Sequence, residues 1–305
     1  MADMTTDIGG ITIKNPVITA SGTFGYGVDF VDFMDLSLLG GISVKGLHVD
    51  ARIGNAPQRI METPCGMLNA IGLQGIGIEA FARDKMPVLR QYDTAIIVNF
   101  WGTTNEEYEE AVRQLNDVEG IAGLEVNVSC PNVKAGGMTF GTDPQQLGQL
   151  IGRVRKLTKL PLMVKLSPNV TSIPEMARIV EGEGADSISL VNTFSAMMID
   201  VDTRRPYLSN VVGGLSGPAI RPIAVRMTYE AANAVKIPII GMGGIMCARD
   251  ALEFLIAGAA AVQVGTASFV NPTVALDVIR GIEEYLEAQQ LPDIASVVGS
   301  IKLDG

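Results

Sequence analysis

Histidine occurs once in this chain, at His48, and cysteine three times, at Cys65, Cys130 and Cys247, with no two cysteines in C-x-x-C spacing. A single histidine removes Ser-His-Asp hydrolysis and multi-histidine metal centres, and no metal site is expected. Three scattered cysteines build neither a disulfide framework nor an iron–sulfur cluster held by four thiolates of this chain alone, so each is core filler or a reactive thiol. Basic residues are few as well: 23 Lys and Arg stand against 33 Asp and Glu, a formal net charge of -10. Nucleic acid needs a basic surface and is not an expected partner, so any anionic ligand has to be held by a few local cations and backbone amides. Apolar runs stay short. The stretch 254–265 is about the longest and contains Gln263, well below the roughly 18 residues of a spanning helix. Residues 1–7 carry two acids and no Lys or Arg, which does not read as a secretory signal. The expectation is a soluble, cytoplasmic protein with no membrane segment.

Glycine, by contrast, is plentiful: 34 of 305 residues, with 47% hydrophobic and only 5% aromatic content, a balance that suits an α/β enzyme with many tight turns. Continuous β-branched runs at 16–20, 41–45, 95–100, 124–129, 162–167, 187–192, 238–242 and 261–265 alternate with helical patterns. Eight such runs are the number that closes a parallel (β/α)8 barrel, and their continuity fits strands covered on both faces. Helices are expected over 105–116, 172–183, 218–235, 248–257 and 272–289, and Asp143-Pro144 reads as an N-cap followed by proline in the first turn. No linker or charge block interrupts the pattern, so residues 1–305 read as one domain. Three connections, 47–73, 131–141 and 193–217, exceed what a minimal barrel needs, and loops of that length are usually functional. The alternative is an open doubly wound sheet, which would need a dinucleotide fingerprint; residues 241–246, GMGGIM, lack its final glycine.

Polar residues fall where strands end. Lys45, Asn99, Asn127, Lys165 and Asn192 sit at or near the C-terminal ends of five strands, the end at which barrel enzymes carry their sites. Gly-rich turns follow the last two strands, in GMGGI at 241–245 and VGTA at 264–267, where backbone amides can approach a phosphate. Cys130 lies just beyond the fourth strand, on a loop with Gly136-Gly137, a setting unlike that of a buried, inert thiol. Cys65 and Cys247 read as structural, and His48 as a surface or hydrogen-bonded loop residue.

These motifs resemble the class 1 dihydroorotate dehydrogenase family over nearly the whole chain. The resemblance rests on NPVITASGTFGYG at 15–27, VKG at 44–46, NAIGLQ at 69–74, EVNVSCPN at 125–132, VKLSPN at 164–169, LVNT at 190–193, GGLSGPAIRPIAVR at 213–226, IIGMGGI at 239–245 and VQVGTA at 262–267. The segment from DTRRP at 202–206 through GGLSGPAIRP is most similar to the class 1B catalytic subunit. The resemblance implies FMN-dependent oxidation of dihydroorotate to orotate in pyrimidine biosynthesis, with Cys130 taking the C5 proton and FMN N5 the C6 hydride. It also implies that Ser21, Lys45, Gly46, Asn99, Asn127, Lys165 and Val191 line the flavin ring and ribityl chain. Gly217, Gly243, Gly244, Gly265 and Thr266 would hold the lower ribityl and phosphate. Lys45, Asn69, Ala70, Ile71, Gly72, Leu73, Asn127, Asn192 and Thr193 would bind the pyrimidine, with Asn132 a further contact and backbone N–H groups of 69–73 donating to the carboxylate.

The chemistry needs these residue types. A thiolate is a usable base near neutral pH, a fixed ammonium stabilises an anionic reduced ring, and asparagine offers both donor and acceptor to planar amide edges. Class 1B further implies a partner subunit carrying FAD and a 2Fe-2S cluster that passes electrons to NAD, around a homodimer core in a heterotetramer. The alternatives are a fumarate-linked class 1A enzyme, another FMN barrel that reduces a nucleobase, and a non-redox phosphate-binding barrel lyase.

Overall fold

The computed structural model describes residues 2–129 and 140–303. Eight strands close into a barrel: β1 (Val17–Thr19), β2 (Gly41–Leu47), β3 (Ala95–Phe100), β4 (Gly123–Asn127), β5 (Leu162–Lys165), β6 (Ser187–Leu190), β7 (Ile239–Met242) and β8 (Ala261–Val264). Each pairs in parallel with the next in sequence, and β8 returns to β1. Every β-branched run read from the sequence overlaps one of them, although β2 runs two residues past its run and β4 starts one residue before its own. The fold is therefore the (β/α)8 barrel, not the open sheet.

The outer helices start where the sequence offers caps. In α2 (Asn105–Asn116) the Thr104 side chain accepts from Glu107 N at 3.2 Å, with Glu106 and Glu107 in the first turn. In α3 (Pro144–Arg155) Asp143 accepts from Gln146 N at 2.8 Å, and Arg153 and Arg155 fall in the last turn. The ring continues with α4 (Ile173–Gly182), α5 (Arg221–Ala232), α6 (Ala248–Ile256) and α7 (Val274–Ala288), while α1 (Ile78–Asp84) precedes β3. The helix expected over 218–235 is shorter than its pattern, because Pro218–Ile220 forms a 3-10 turn ahead of it.

Inside the barrel, side chains stack in layers contributed by alternate strands. An N-terminal hairpin, Thr6–Asp7 with Thr12–Ile13, plugs the bottom with Ile8, Ile11 and Ile13. Above it lie Ile18, Ile97, Met163 and Ile240 from the odd strands. The next layer, from the even strands, is polar: Ser43, Glu125, Ser189 and Gln263, all buried. Ala20, Asn99, Lys165 and Met242 come next and face the mouth.

Two of the long connections are not free loops. Phe194–Ala196, Gly213–Ser216, Gly66–Asn69 and Ile60–Thr63 form a four-stranded antiparallel sheet in that order, so 47–73 and 193–217 are tied to each other. Leu68, Ala70 and Leu208 give it a small core of its own. Of the third connection, residues 130–139 lie outside the described residues. No helix among the described residues is long and apolar enough to cross a membrane.

Ile97 is fully buried in the lower layer, and truncating such a side chain costs about 2–5 kcal/mol. Ile97→Ala should lower the urea unfolding free energy by that amount; a loss under about 0.5 kcal/mol, the range of surface substitutions, would show that the layer is not packed.

Candidate active site

The C-terminal end of the barrel opens on a cavity of about 630 Å³, a size usual for small-molecule sites. Its barrel wall carries Ser21, Lys45, Gly46, Asn99, Asn127, Lys165 and Val191; one corner is Gly217, Gly243, Gly244, Gly265 and Thr266. The excursion side supplies Asn69, Ala70, Ile71, Gly72 and Leu73, with Asn192 and Thr193 opposite. One space thus collects all of the described residues that the sequence singled out for a ligand. Cys130 and Asn132 lie outside the described residues, as do Gly136 and Gly137. Ser129, immediately before Cys130, does line the cavity.

The floor is organised by a residue that sequence reasoning missed. Glu125 is 0% exposed and accepts four hydrogen bonds: Ser43 Oγ at 2.9 Å, Asn99 Nδ2 at 2.6 Å, Ser189 Oγ at 2.7 Å and Gln263 Nε2 at 2.8 Å. Burial alone pushes this carboxyl up, but the Lys165 charge and the donated hydrogen bonds outweigh it and hold it below the usual carboxylate range. Lys165, 5% exposed, also makes a long 3.5 Å hydrogen bond to Ser21 Oγ. The available signal was Glu125 itself, an acid between the apolar residues Leu124 and Val126.

A second missed residue is Arg59, which lines the cavity with Lys45. Burial, aided by the Arg59 charge, pulls the Lys45 ammonium below its ordinary value. Arg59 donates to Asn55 O at 3.2 Å and Gln74 Oε1 at 2.7 Å, which fixes its guanidinium against the 69–73 segment. That segment is also held by Asn55, whose Nδ2 donates to Ala70 O at 2.9 Å and whose N donates to Ile71 O at 3.0 Å. The Ala70 N–H is already given to Arg59 O at 2.8 Å, so it is not free to serve an incoming carboxylate as the sequence suggested.

Asn127 and Asn192 meet on the far side. Asn127 Oδ1 accepts from Ser129 Oγ at 2.9 Å, and Asn192 Nδ2 donates to Ser129 Oγ at 2.6 Å. Asn192 Oδ1 accepts from Thr193 N at 2.8 Å. In the glycine corner Gly244 has φ +75°, and a Cβ there would stand 2.8 Å from Gly217 O. The positive φ and the close approach of Gly217 and Arg221 both require glycine here. The nearby Arg221 is paired with Asp250 and, at 3.5 Å, with Glu253, which leaves backbone amides as the corner's donors. Thr266 Oγ1 donates to Ser216 Oγ at 2.8 Å.

Two of the remaining residues depart from expectation. Cys65 and Cys247 are both exposed, so neither is core filler. His48 is a hydrogen-bonded loop residue but a buried one: Nδ1 accepts from Asp50 N at 3.0 Å, and Nε2 lies 3.1 Å from Arg52 Nη2 and 3.4 Å from Glu107.

Eight parallel strands with a ligand-sized cavity at their C-terminal ends define an enzyme-type (β/α)8 barrel. The family model for dihydroorotate dehydrogenase matches residues 3–286, and the chain belongs to that family. It is 53% identical over 299 residues, 98% of each chain, to the dihydroorotate dehydrogenase B (NAD(+)), catalytic subunit of Geotalea uraniireducens. With the protein of that description from Thermodesulfovibrio yellowstonii it shares 54% over 295 residues, 97% of each chain.

Lys45 is a half-buried cation beside another cation, a destabilising arrangement retained in a cavity wall. A folded-state pKa below the ordinary 10.5 means that the penalty is full at neutral pH and fades as pH rises through the lowered value toward 10.5. Lys45→Met should therefore raise the melting temperature of the unliganded protein at pH 7, with the gap closing near pH 10.5. A lower melting temperature for the variant at pH 7 would contradict this.

Proposed function

We propose that this chain oxidises dihydroorotate to orotate, a step of pyrimidine biosynthesis, with FMN held in the barrel mouth, as the catalytic subunit of an NAD-linked enzyme. The observation that carries this reading is the three-part cavity: a floor with unmet acceptors, a glycine corner, and a cationic rim of Lys45 and Arg59. Family membership and the names of the relatives support the same reading.

The residues present fit FMN. Asn99 Oδ1 and Gln263 Oε1 are buried without a hydrogen-bond partner among the described residues, and a ring imide N–H would satisfy such an acceptor. The corner of Gly217, Gly243, Gly244, Gly265 and Thr266 would offer backbone amides to a phosphate. Ser21, Lys45, Gly46, Asn99, Asn127, Lys165 and Val191 would line the ring. Bound there, FMN supplies the two-electron acceptor. Lys165 gives a fixed positive charge beside it.

The substrate's planar edges suit Asn69, Asn127 and Asn192, and its carboxylate suits Lys45 and Arg59, with Ile71, Gly72, Leu73 and Thr193 completing the enclosure. Cys130 follows Ser129 in sequence, and its thiolate would take the C5 proton at Sγ. Residues 1–305 would form one FMN-binding barrel domain.

The purified protein should be yellow, with flavin absorbance; a colourless protein that no added FMN can turn yellow refutes the reading. Cys130→Ser should retain FMN yet slow flavin reduction by dihydroorotate by roughly 10²–10⁴, the usual range for loss of a positioned base. In the wild type this rate should rise with pH as the thiol, with a reference value of about 8.5, becomes thiolate. Stopped-flow bleaching at wild-type speed in the variant would remove Cys130 from the role of base.

The sequence has no dinucleotide fingerprint and too few cysteines for a cluster, which supports a separate subunit carrying FAD and a 2Fe-2S cluster around a homodimer core. The chain alone should then reduce artificial dyes but not NAD, and co-expression with such a subunit should restore NAD reduction. Efficient turnover with fumarate alone would instead make it a class 1A enzyme, with fold and flavin unchanged.

A further inference from the structure

We propose that Glu125 is a positioning residue for the flavin wall: it takes up the amide donors of Asn99 and Gln263, fixes their oxygens as the acceptors that face the ring, and sets the charge beneath Lys165. This rests on the FMN reading above.

An ionised carboxylate accepts only, whereas an asparagine or glutamine amide has one donating and one accepting end. With Asn99 Nδ2 and Gln263 Nε2 both committed to Glu125, at 2.6 Å and 2.8 Å, each amide can turn only one way. Asn99 Oδ1 and Gln263 Oε1 are left buried and unpartnered among the described residues, and both residues line the cavity. An unmet buried acceptor costs about 1–3 kcal/mol, and a ligand that brought N–H donors to these oxygens would relieve that cost. Gly46 protects the arrangement, since a Cβ there would come within 2.8 Å of Asn99 Oδ1. Ser43 and Ser189, which touch no cavity surface, serve the carboxylate alone at 2.9 Å and 2.7 Å.

The second consequence is electrostatic. Glu125 and Lys165 are buried on neighbouring strands and offset each other's charge. Removing only the carboxylate leaves the ammonium uncompensated in a low-dielectric floor, which favours added negative charge above it.

The test uses the FMN-loaded protein and two readouts other than turnover: the FMN dissociation constant and the flavin midpoint potential. Glu125→Gln should weaken FMN binding by roughly tenfold or more, because its own amide now competes for the orientation of Asn99 and Gln263. It should also move the potential to a more positive value, whereas Lys165→Met should move it the other way. Glu125→Asp keeps the charge, so its potential should stay near wild type while FMN binding weakens. Should Glu125→Gln not fold, the double variant Glu125→Gln/Lys165→Met carries no unpaired charge, and it should show the same positive displacement relative to Lys165→Met. A merely structural role would lower stability without moving the potential. Wild-type FMN affinity and potential in Glu125→Gln, or a negative displacement, overturns the proposal while leaving the FMN reading intact. A wild-type protein that binds no FMN overturns both.

Discussion

A fully buried carboxylate on the axis of a barrel is tolerable only when its oxygens are saturated, and four other strands contribute to saturating those of Glu125. β2 sends Ser43, β3 sends Asn99, β6 sends Ser189 and β8 sends Gln263, all within hydrogen-bond distance of one side chain on β4. Loss of a single partner would leave a buried charge short of donors, which is far more costly than never having placed it there. The register of the strands is bound to this layer, because a one-residue slip turns every side chain of a strand to its other face. The layer also divides the interior. Below it Ile18, Ile97, Met163 and Ile240 pack against the hairpin plug, and above it the barrel opens on the cavity.

The cavity's other wall depends on contacts between segments far apart in sequence. Gly214 opposes Asn69, and Leu215 opposes Leu68, so residues nearly 150 positions apart are joined strand to strand. That pairing holds the 69–73 segment at the mouth, and Asn55 and Arg59 clamp it from the outside. Backbone groups of this segment that look available in sequence are partly consumed by the clamp. The side chain of Arg59 is presented to the cavity in exchange.

Electrostatically, the site runs against the rest of the molecule. A chain with a net charge of -10 concentrates Lys45, Arg59 and Lys165 around one cavity. Lys165 is offset by Glu125, whereas Lys45 and Arg59 disfavour each other and would gain from an anion between them. An anion between them would relieve the penalty that the Arg59 charge adds at Lys45.

The sequence by itself determined the barrel, since continuous β-branched runs at regular spacing and capping residues such as Thr104 and Asp143 are local signals. It also determined which polar residues gather at the mouth, because they stand at or near the C-terminal ends of strands, where barrel enzymes carry their sites. Tertiary structure alone decided the rest. The excursion sheet is built from strands of three or four residues, several of them glycine, whose pairing is non-local and leaves no periodic trace. Glu125 reads as one acid between Leu124 and Val126 until Ser43, Asn99, Ser189 and Gln263 converge on it. Arg59 reads as one arginine in a loop until Asn55 and Gln74 hold it beside Lys45. In each case the function of the charge is set by partners that only chain closure brings within reach.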